Sequence, residues 1–76
     1  MNNRGVFETA VVEKVGRGGV FFLCLQDNSD HKITAKLCGK MRISRIGICI
    51  GDVVDVELSL YDLHKGRIIW RQKDAG

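Results

Sequence analysis

The segment GKMRISRIGICIG, residues 39–51, decides which small β fold this chain adopts. It is too long for a tight hairpin, and its stretch KMRIS at residues 40–44 tolerates a short piece of helix. Ile46, Ile48 and Ile50 follow at alternate positions, and we expect them to enter the core behind that helix. The segment therefore predicts a short helical crossing between two strands.

Alternating apolar residues on both sides of this crossing indicate β-strands. Residues 52–60 show the clearest two-residue period, which is typical of a strand with one buried face. The apolar positions of that period are Val54, Val56, Leu58 and Leu60. The other predicted strands are residues 6–15, 20–25, 32–37 and 67–71. Turn-forming residues separate the strands at residues 16–19 and 27–30, and Asp62 and Gly66 bracket the turn before the last strand.

Five strands with a helix between the third and the fourth predict an all-β fold, the five-stranded OB-fold barrel. An SH3-like barrel is the alternative, but it usually lacks a helix at that position. Closing the sheet into a barrel also removes most exposed strand edges. We expect residues 1–76 to form a single OB-fold RNA-binding domain, with residues 1–5 and 72–76 flexible.

Length and composition exclude several classes of protein. A chain of 76 residues forms one small domain, which leaves little room for a deep catalytic cleft. No apolar run is long enough to span a membrane, and the first residues lack the apolar region of a secretory signal. No nucleophile elbow, zinc-protease motif or phosphate-binding loop is present. We therefore expect a soluble protein that is not an enzyme.

The three cysteines, Cys24, Cys38 and Cys49, are each flanked by apolar residues and form no C-x-x-C pair. We interpret them as reduced thiols that act as small buried hydrophobes. A zinc site that also uses His31 or His64 is the alternative, but its ligands would be scattered singly along the chain. The sequence therefore predicts no metal site.

The charges are segregated, although the net charge is only +3. Residues 31–51 contain five basic residues and residues 63–73 contain four, and neither stretch contains an acidic residue. The intervening residues 52–62 contain four acidic residues and no basic one. Such segregation favours a positive face that attracts polyanions, against the alternative that the cations decorate solvated strand faces.

The aromatic residues and Met41 each allow two interpretations. If Phe21, Leu23 and Leu25 point inward, Phe22 and Cys24 point outward, and Phe22 becomes a platform for base stacking. The other register would place Phe22 in the core. Trp70 is expected to share the buried face of Ile68, and Tyr61 to reach solvent at the end of a strand. Met41 is expected to plug the core under the helix, with an exposed contact as the alternative.

The second half of the chain resembles the bacterial-type translation initiation factor one family. The motifs that carry the resemblance are Gly39-Lys40-Met41-Arg42, Gly51-Asp52, Val56-Glu57-Leu58, Tyr61-Asp62-Leu63 and Lys65-Gly66-Arg67-Ile68. The resemblance is continuous over about residues 34–71 and extends more loosely back to residue 7. Several spaced motifs in one order are a specific signal.

The resemblance implies an OB-fold protein that binds the A site of the small ribosomal subunit. It implies contacts with ribosomal RNA and with a neighbouring ribosomal protein, cooperation with the other initiation factors, no catalysis and no cofactor. We also expect a monomer that does not bind membranes, in a bacterial-type cytoplasm or an organelle. The predicted RNA-binding residues are Phe22, Lys36, Lys40, Met41, Arg42, Arg45, Tyr61, Lys65, Arg67 and Arg71.

The chain departs from the family pattern at residues 43–47, where Ile-Ser-Arg-Ile-Gly replaces a basic and aromatic stretch. Phe22 stands at a position that is often cationic, and the turn at residues 27–30 is longer than expected. These departures indicate a divergent family member, or an organellar or specialised version, whose ribosome affinity is reduced or whose target is another RNA. Two alternative functions also stay open. One is a cold-shock type RNA chaperone that binds any single strand, and the other is a small barrel that binds another protein.

Overall fold

The computed structural model describes residues 5–44 and 47–72 of the chain, and its strands close into a barrel in the order β1-β2-β3-β5-β4. The strands are β1 Val6–Val15, β2 Val20–Leu25, β3 Lys32–Leu37, β4 Val53–Leu58 and β5 Lys65–Arg71. A short helix, α1 Gly39–Ile43, crosses between β3 and β4, and a 3-10 turn at Arg17–Gly19 joins β1 to β2. This architecture confirms the predicted OB-fold.

Strand β1 closes the barrel because it pairs with two neighbours. Its first half pairs antiparallel with β4 and its second half with β2. The β1–β2 register shifts between Val12 and Lys14, which is a bulge that bends the strand from one partner to the other. The last pair of the barrel, β3 with β5, is parallel, so these strands need no hairpin and can come from distant parts of the chain.

The core is made by the alternate positions that the sequence pattern predicts. Val54, Val56 and Leu58 of β4 are at most 2% exposed, and they pack with the inward residues of the other strands. Burying side chains of this size contributes about 1.5 to 3 kcal/mol each. The remaining core residues are Ala10, Val12, Phe21, Leu23, Ile33, Ala35, Met41 and Ile68.

Helix α1 closes one end of the barrel. Cys38 is the N-cap residue of this helix. Its carbonyl accepts a hydrogen bond from the Arg42 N–H at 3.0 Å, and its N–H donates to the Ile68 carbonyl at 2.9 Å. Met41 is 2% exposed and fills the barrel end, whereas Ile43 on the same helix is 84% exposed. One apolar side chain therefore anchors the helix to the core.

The segment after the helix differs from the prediction. Ile48 packs against the core, but Ile50 is exposed, and Ile46 lies outside the described residues. The backbone turns at Gly51, with a φ of +94°, and the Cys49 N–H donates to the Asp52 carboxylate at 2.8 Å. Because this turn directs the chain into β4, Ile50 lies on its outside instead of over the barrel.

Strand β4 is shorter and β5 longer than predicted. Leu60 lies beyond the end of β4 and is exposed. Gly66 lies within β5, where an added Cβ atom would be 2.5 Å from the Glu57 carbonyl oxygen. The absence of a side chain at Gly66 therefore allows β5 to approach β4 closely, and this residue belongs to the strand and not to the turn.

Trp70 is 56% exposed, so the prediction that it shares the buried face of Ile68 is wrong. Val56 pairs with Ile68 while the preceding Asp55 pairs with Trp70, so β5 contains one additional residue. Directly opposite residues in an antiparallel pair point to the same side of the sheet. Trp70 therefore faces outward with Asp55.

The cysteines are free, as predicted, but only Cys24 is fully buried. Cys24 is 7% exposed although its neighbour Phe22 faces outward, because the ion pair between Lys32 and Glu13 lies beside it. Burial, together with a hydrogen bond to Glu13, raises the pKa of the Cys24 thiol. Cys49 is exposed, so the expectation that it is buried is wrong.

Within residues 5–44 and 47–72, no group of His, Cys, Asp or Glu side chains is arranged to hold a metal ion. None of the helices in these ranges has the length and apolar character that a bilayer crossing requires. Gly5 and Gln72 are both hydrogen-bonded to the barrel, to Glu57 and to β4 respectively. The predicted flexibility of residues 1–4 and 73–76 concerns residues outside the described ranges.

Candidate nucleic-acid interface

The parallel pairing of β3 with β5 brings the two cation-rich stretches of the chain together. Lys36 of β3 is the Cα partner of Arg67 of β5, and Thr34 is the partner of Lys65. The side chains of Lys36, Lys65 and Arg67 are exposed, and they alternate with the buried Ala35 or Ile68 and so point outward. We call the surface formed by Lys36, Lys65, Arg67, Lys40 and Arg42 the cationic face.

An exposed aromatic ring borders the cationic face. Phe22 of β2 is the partner of Thr34 and is 39% exposed, so β2 has the register in which this ring points outward. The Lys14 Nζ atom lies 5.9 Å from the ring centroid, within the range of a cation–π interaction. The ring packs over Gly16, where a Cβ atom would lie 2.7 Å from it. The result is a supported flat surface between basic side chains.

Helix α1 brings Arg42 beside Lys36 and also carries Lys40. Lys40 and Arg42 are both exposed on the helix that Met41 anchors. Arg42 and Lys36 line one shallow groove of about 140 Å³ together with Gly18 and Gly19 of the β1–β2 turn. These glycines have φ values of +69° and +78°, so the turn contributes backbone without side chains to the groove. Arg45, another predicted contact, lies outside the described residues.

Tyr61 lies at the other edge of the cationic face. It is 94% exposed in the β4–β5 loop, and it lines an open groove of about 410 Å³ with Lys65 and Arg67. The Tyr61 N–H donates to the Ser59 hydroxyl at 3.0 Å, which holds the loop backbone while the ring remains free. The structure therefore brings Tyr61 close to two of the predicted cations.

Two histidines connect the β2–β3 and β4–β5 loops. Their rings are stacked with centroids 4.6 Å apart. His31 Nε2 is 2.7 Å from the Leu63 carbonyl, and His64 Nδ1 is 2.9 Å from the Lys32 carbonyl. These contacts fix the loop that carries Tyr61, and the histidines are not arranged as zinc ligands with a cysteine in the described part of the chain.

A carboxylate of β4 enters the cationic face at one side. Glu57 Oε1 accepts hydrogen bonds from Arg67 Nε at 3.0 Å and from Nη2 at 2.8 Å. Glu57 also accepts from the Gly5 N–H at 3.0 Å. The charges that are segregated along the sequence are therefore adjacent at the β4–β5 boundary, and Arg67 is already paired within the protein.

Two predicted contact residues also make contacts within the barrel. Met41 is buried under α1, as expected for the core plug, so its side chain is not exposed for the predicted RNA contact. Arg71 is half-buried at the end of β5, and its Nη1 atom donates to the Gly47 carbonyl at 3.0 Å. Arg71 thereby attaches the β3–β4 connection to the barrel.

The sequence reasoning missed Lys14 and Thr34, which flank Phe22 on neighbouring strands. Thr34 could have been found from the alternation of β3, since it lies between the outward Lys32 and Lys36. Lys14 could not, because its pairing with Phe22 depends on the bulge at Glu13.

Comparisons with known proteins agree with this arrangement of motifs. Translation initiation factor IF-1 of Mycoplasmopsis synoviae is 64% identical over 43 residues, which are 57% of this chain and 61% of that protein. The IF-1 protein of Chlamydia felis is 47% identical over 55 residues, which are 72% of this chain and 74% of that protein. This chain belongs to the translation initiation factor IF-1 family.

The fold comparison covers more of the chain. The solution structure of the IF-1 protein from the Wolbachia endosymbiont of Brugia malayi matches 93% of this chain and 82% of its own, with a TM-score of 0.71 and 37% identity. No family model matches the sequence. Membership in the IF-1 family confirms the predicted resemblance and agrees with the expectation of a translation initiation factor without enzymatic activity. The match spans about three fifths of the Mycoplasmopsis protein.

Proposed function

We propose that this protein acts in translation initiation by binding ribosomal RNA at the A site of the small ribosomal subunit through its cationic face. The observation that carries the proposal is the direct pairing of Lys36 with Arg67, which joins two cation-rich stretches that lie far apart in the sequence. A surface of several adjacent cations attracts phosphates and orients RNA as it approaches. The family membership supports the same function.

The cations have different roles in this proposal. The Lys36 ammonium group forms no salt bridge or hydrogen bond within residues 5–44 and 47–72, so it is available for a phosphate. Lys40, Arg42 and Lys65 are exposed and extend the surface on both sides. Arg67 contributes a partly neutralised charge because Glu57 holds it. Arg45 remains a proposed contact.

Stacking would supply the rest of the RNA contact. Bases stack on exposed aromatic rings in OB-fold proteins, with about 1 to 3 kcal/mol per base. Phe22 and Tyr61 border the cationic face on different sides, and both side chains are exposed. Phe22 is the better platform, because Gly16 and Lys14 support the ring, whereas the Tyr61 ring must be ordered upon binding.

The proposal includes the partners that the resemblance implies: a neighbouring ribosomal protein and the other initiation factors, with this protein bound as a monomer in the bacterial-type cytoplasm. Two outcomes would direct the function elsewhere. Tight binding to short unstructured RNA with no preference for assembled subunits would favour an RNA chaperone. Binding that is indifferent to salt would favour a protein-binding barrel, because phosphate contacts release counterions.

The test compares two lysines of the same strand and the same side of the sheet. Lys36→Ala removes an unpaired ammonium group, and Lys32→Ala removes one that Glu13 already binds at 3.0 Å. In binding assays with purified small subunits, Lys36→Ala should lower the log-log salt slope by about 0.7 to 0.9. Lys32→Ala should change it much less. A chemical footprint at the A site should weaken in parallel.

If Lys36→Ala leaves both the slope and the footprint unchanged, the cationic face does not bind ribosomal RNA. An equal effect of Lys32→Ala would show that only the net charge matters, which would contradict the proposed site. A footprint away from the A site would show that the protein binds ribosomal RNA at a different location from the one proposed.

A further inference from the structure

A groove with a partly apolar lining lies on the outer side of β1 and β4. It has a volume of about 320 Å³ and crosses β1 from the β4–β5 side to the end of β2. Phe7 and Ile69 form its apolar part, and Phe7 is 56% exposed. We call it the acidic groove, because its polar lining contains three carboxylates and no cation. Its lining residues are Phe7, Glu8, Thr9, Gln26, Asp27, Asp55 and Ile69.

The lining is held in place by short contacts. Asp55 accepts hydrogen bonds from Gln72 Nε2 at 2.8 Å and from the Thr9 hydroxyl at 3.4 Å. The Gln26 N–H donates to the Thr9 carbonyl at 2.9 Å, which fixes the end of β2 against β1. Most of the groove is therefore built on paired strands, and Gln26 and Asp27 of the β2–β3 loop complete it.

The groove lies across the barrel from β3, although β5 contributes Ile69 to the groove and Lys65 and Arg67 to the cationic face. In the closed order β1-β2-β3-β5-β4, strand β3 has β2 and β5 as neighbours, so β1 and β4 lie across the barrel from it. A molecule bound to the outer side of β3 therefore leaves the acidic groove accessible. Three carboxylates without a cation also repel RNA phosphates. The groove is thus not a continuation of the proposed RNA contact.

We propose that the acidic groove binds a basic polypeptide segment of a protein partner, with one apolar side chain of the segment on Phe7 and Ile69. The charge of the rim selects lysine or arginine on either side of that apolar residue. An exposed aromatic side chain within a polar rim is typical of a protein-binding site. This inference goes beyond the proposed RNA contact and does not depend on it.

The test is an NMR titration of the full chain with a blocked short peptide in which lysines flank one leucine. Amide signals of Thr9, Gln26, Asp55 and Ile69 should shift, also in the presence of saturating RNA. A peptide with serine in place of leucine should bind more weakly, and one with glutamates in place of lysines should not bind. These results would establish the groove as a site for a basic segment with an apolar anchor.

Paired variants make the test specific. Phe7→Ser should weaken peptide binding about tenfold, while Phe22→Ser on the other face should not change it. Asp27→Asn should weaken it about two- to fivefold. Asp30→Asn removes a carboxylate from the same turn, outside the groove lining, and should have no effect. Both aspartates are exposed, so these variants should retain the fold.

Several results would overturn the inference. Peptide-induced shifts confined to other surfaces, or no shifts, would exclude the groove as a site for such segments. If the serine peptide binds as tightly as the leucine peptide, binding depends on unspecific charge attraction and not on an apolar anchor. Signals that move upon dilution without peptide would identify a second copy of the chain as the occupant. If the unmodified protein binds the peptide but does not bind RNA, only the proposed function is refuted.

Discussion

Phe22 and Phe7 are both exposed phenylalanines on outer strand faces, but their surroundings have opposite charge. Lys14 lies over the Phe22 ring and the cationic face begins beside it, whereas Phe7 shares its groove with Glu8, Asp27 and Asp55. The same type of residue therefore serves different ligands in our proposals, because the charge around an apolar surface selects its partner. The net charge of +3 hides this division.

The two faces depend on the same core, and the largest expected effect comes from detaching the helix that carries Lys40 and Arg42. Met41→Ala should lower the free energy of unfolding by about 2 to 5 kcal/mol, because it leaves a cavity under α1. Urea denaturation followed by Trp70 fluorescence measures the change. Ile43→Ala, on the exposed side of the helix, should change stability by less than about 0.5 kcal/mol. Equal losses in the two variants would contradict the anchoring role of Met41.

Truncation of the two phenylalanines tests the comparison directly. Phe22→Ala should weaken RNA binding by about 1 to 3 kcal/mol, because it removes a stacking surface. Phe7→Ala removes an equal ring from the acidic groove and should leave RNA binding unchanged. Fluorescence titration with a ribosomal RNA fragment measures both affinities. If the two variants bind RNA equally, Phe22 has no specific role in RNA binding and the two faces do not differ in this function.

The boundary between the faces is the Glu57–Arg67 ion pair, in which the Arg67 side chain is 60% exposed and that of Glu57 16%. Glu57→Gln removes the charge that neutralises Arg67 and should strengthen RNA binding by up to about 1 kcal/mol. Asp55→Asn removes a carboxylate from the same strand on the side of the acidic groove, and it should not affect RNA binding. The same RNA titration distinguishes them. Weaker RNA binding by Glu57→Gln would show that the ion pair orients Arg67 for the contact.

The smallest expected effect concerns the Glu13–Lys32 ion pair near the edge of the cationic face. The hydrogen bond with Lys32 lowers the pKa of Glu13, and the same bond raises the pKa of Lys32. The stabilisation is therefore present above the ordinary pKa of Glu and is lost as the pH falls through the lowered value. On the alkaline side it is lost as the pH rises through the raised value of Lys32.

Lys32→Met should accordingly lower the urea midpoint slightly and by a constant amount between about pH 5 and about pH 9. The difference from the unmodified chain should shrink as the pH falls below the ordinary pKa of Glu, and it should disappear below the lowered pKa of Glu13. Lys36→Met removes an unpaired lysine of the same strand and should show no such pH dependence. A difference that persists in acid would mean that Lys32 acts through packing and not through the ion pair.

Most of the strands could be predicted from the sequence, because their signals are local. Apolar and polar residues alternate in β3 and β4, and β1 and β2 contain β-branched residues. The sequence left two registers of β2 open, and the structure has the one in which Phe21 is buried and Phe22 is exposed. The predictions failed where a bulge or a turn changed the direction of the chain. Trp70 faces outward because β5 contains one extra residue, and Ile50 lies outside the core because the chain turns at Gly51.

The candidate RNA contact could be predicted less completely than the fold. The charge blocks point to Lys36, Lys65 and Arg67, which are exposed on neighbouring strands, but the sequence does not rank these cations. Glu57 neutralises Arg67 only because β4 and β5 pair in this register, and no local pattern encodes that register. Met41 fits both the core and an RNA surface in the sequence, and only its burial distinguishes the two.

The sequence by itself determined which residues alternate between core and solvent, where the helical crossing lies, and the order of charges along the chain, since these depend on neighbouring residues. Only the tertiary structure decided which charges meet. Barrel closure placed Lys36 beside Arg67, Arg67 beside Glu57, and Phe7 among carboxylates, because pairing between strands joins residues that are distant in the chain. Electrostatic energy depends on distance in space, so the two faces exist only in the folded barrel.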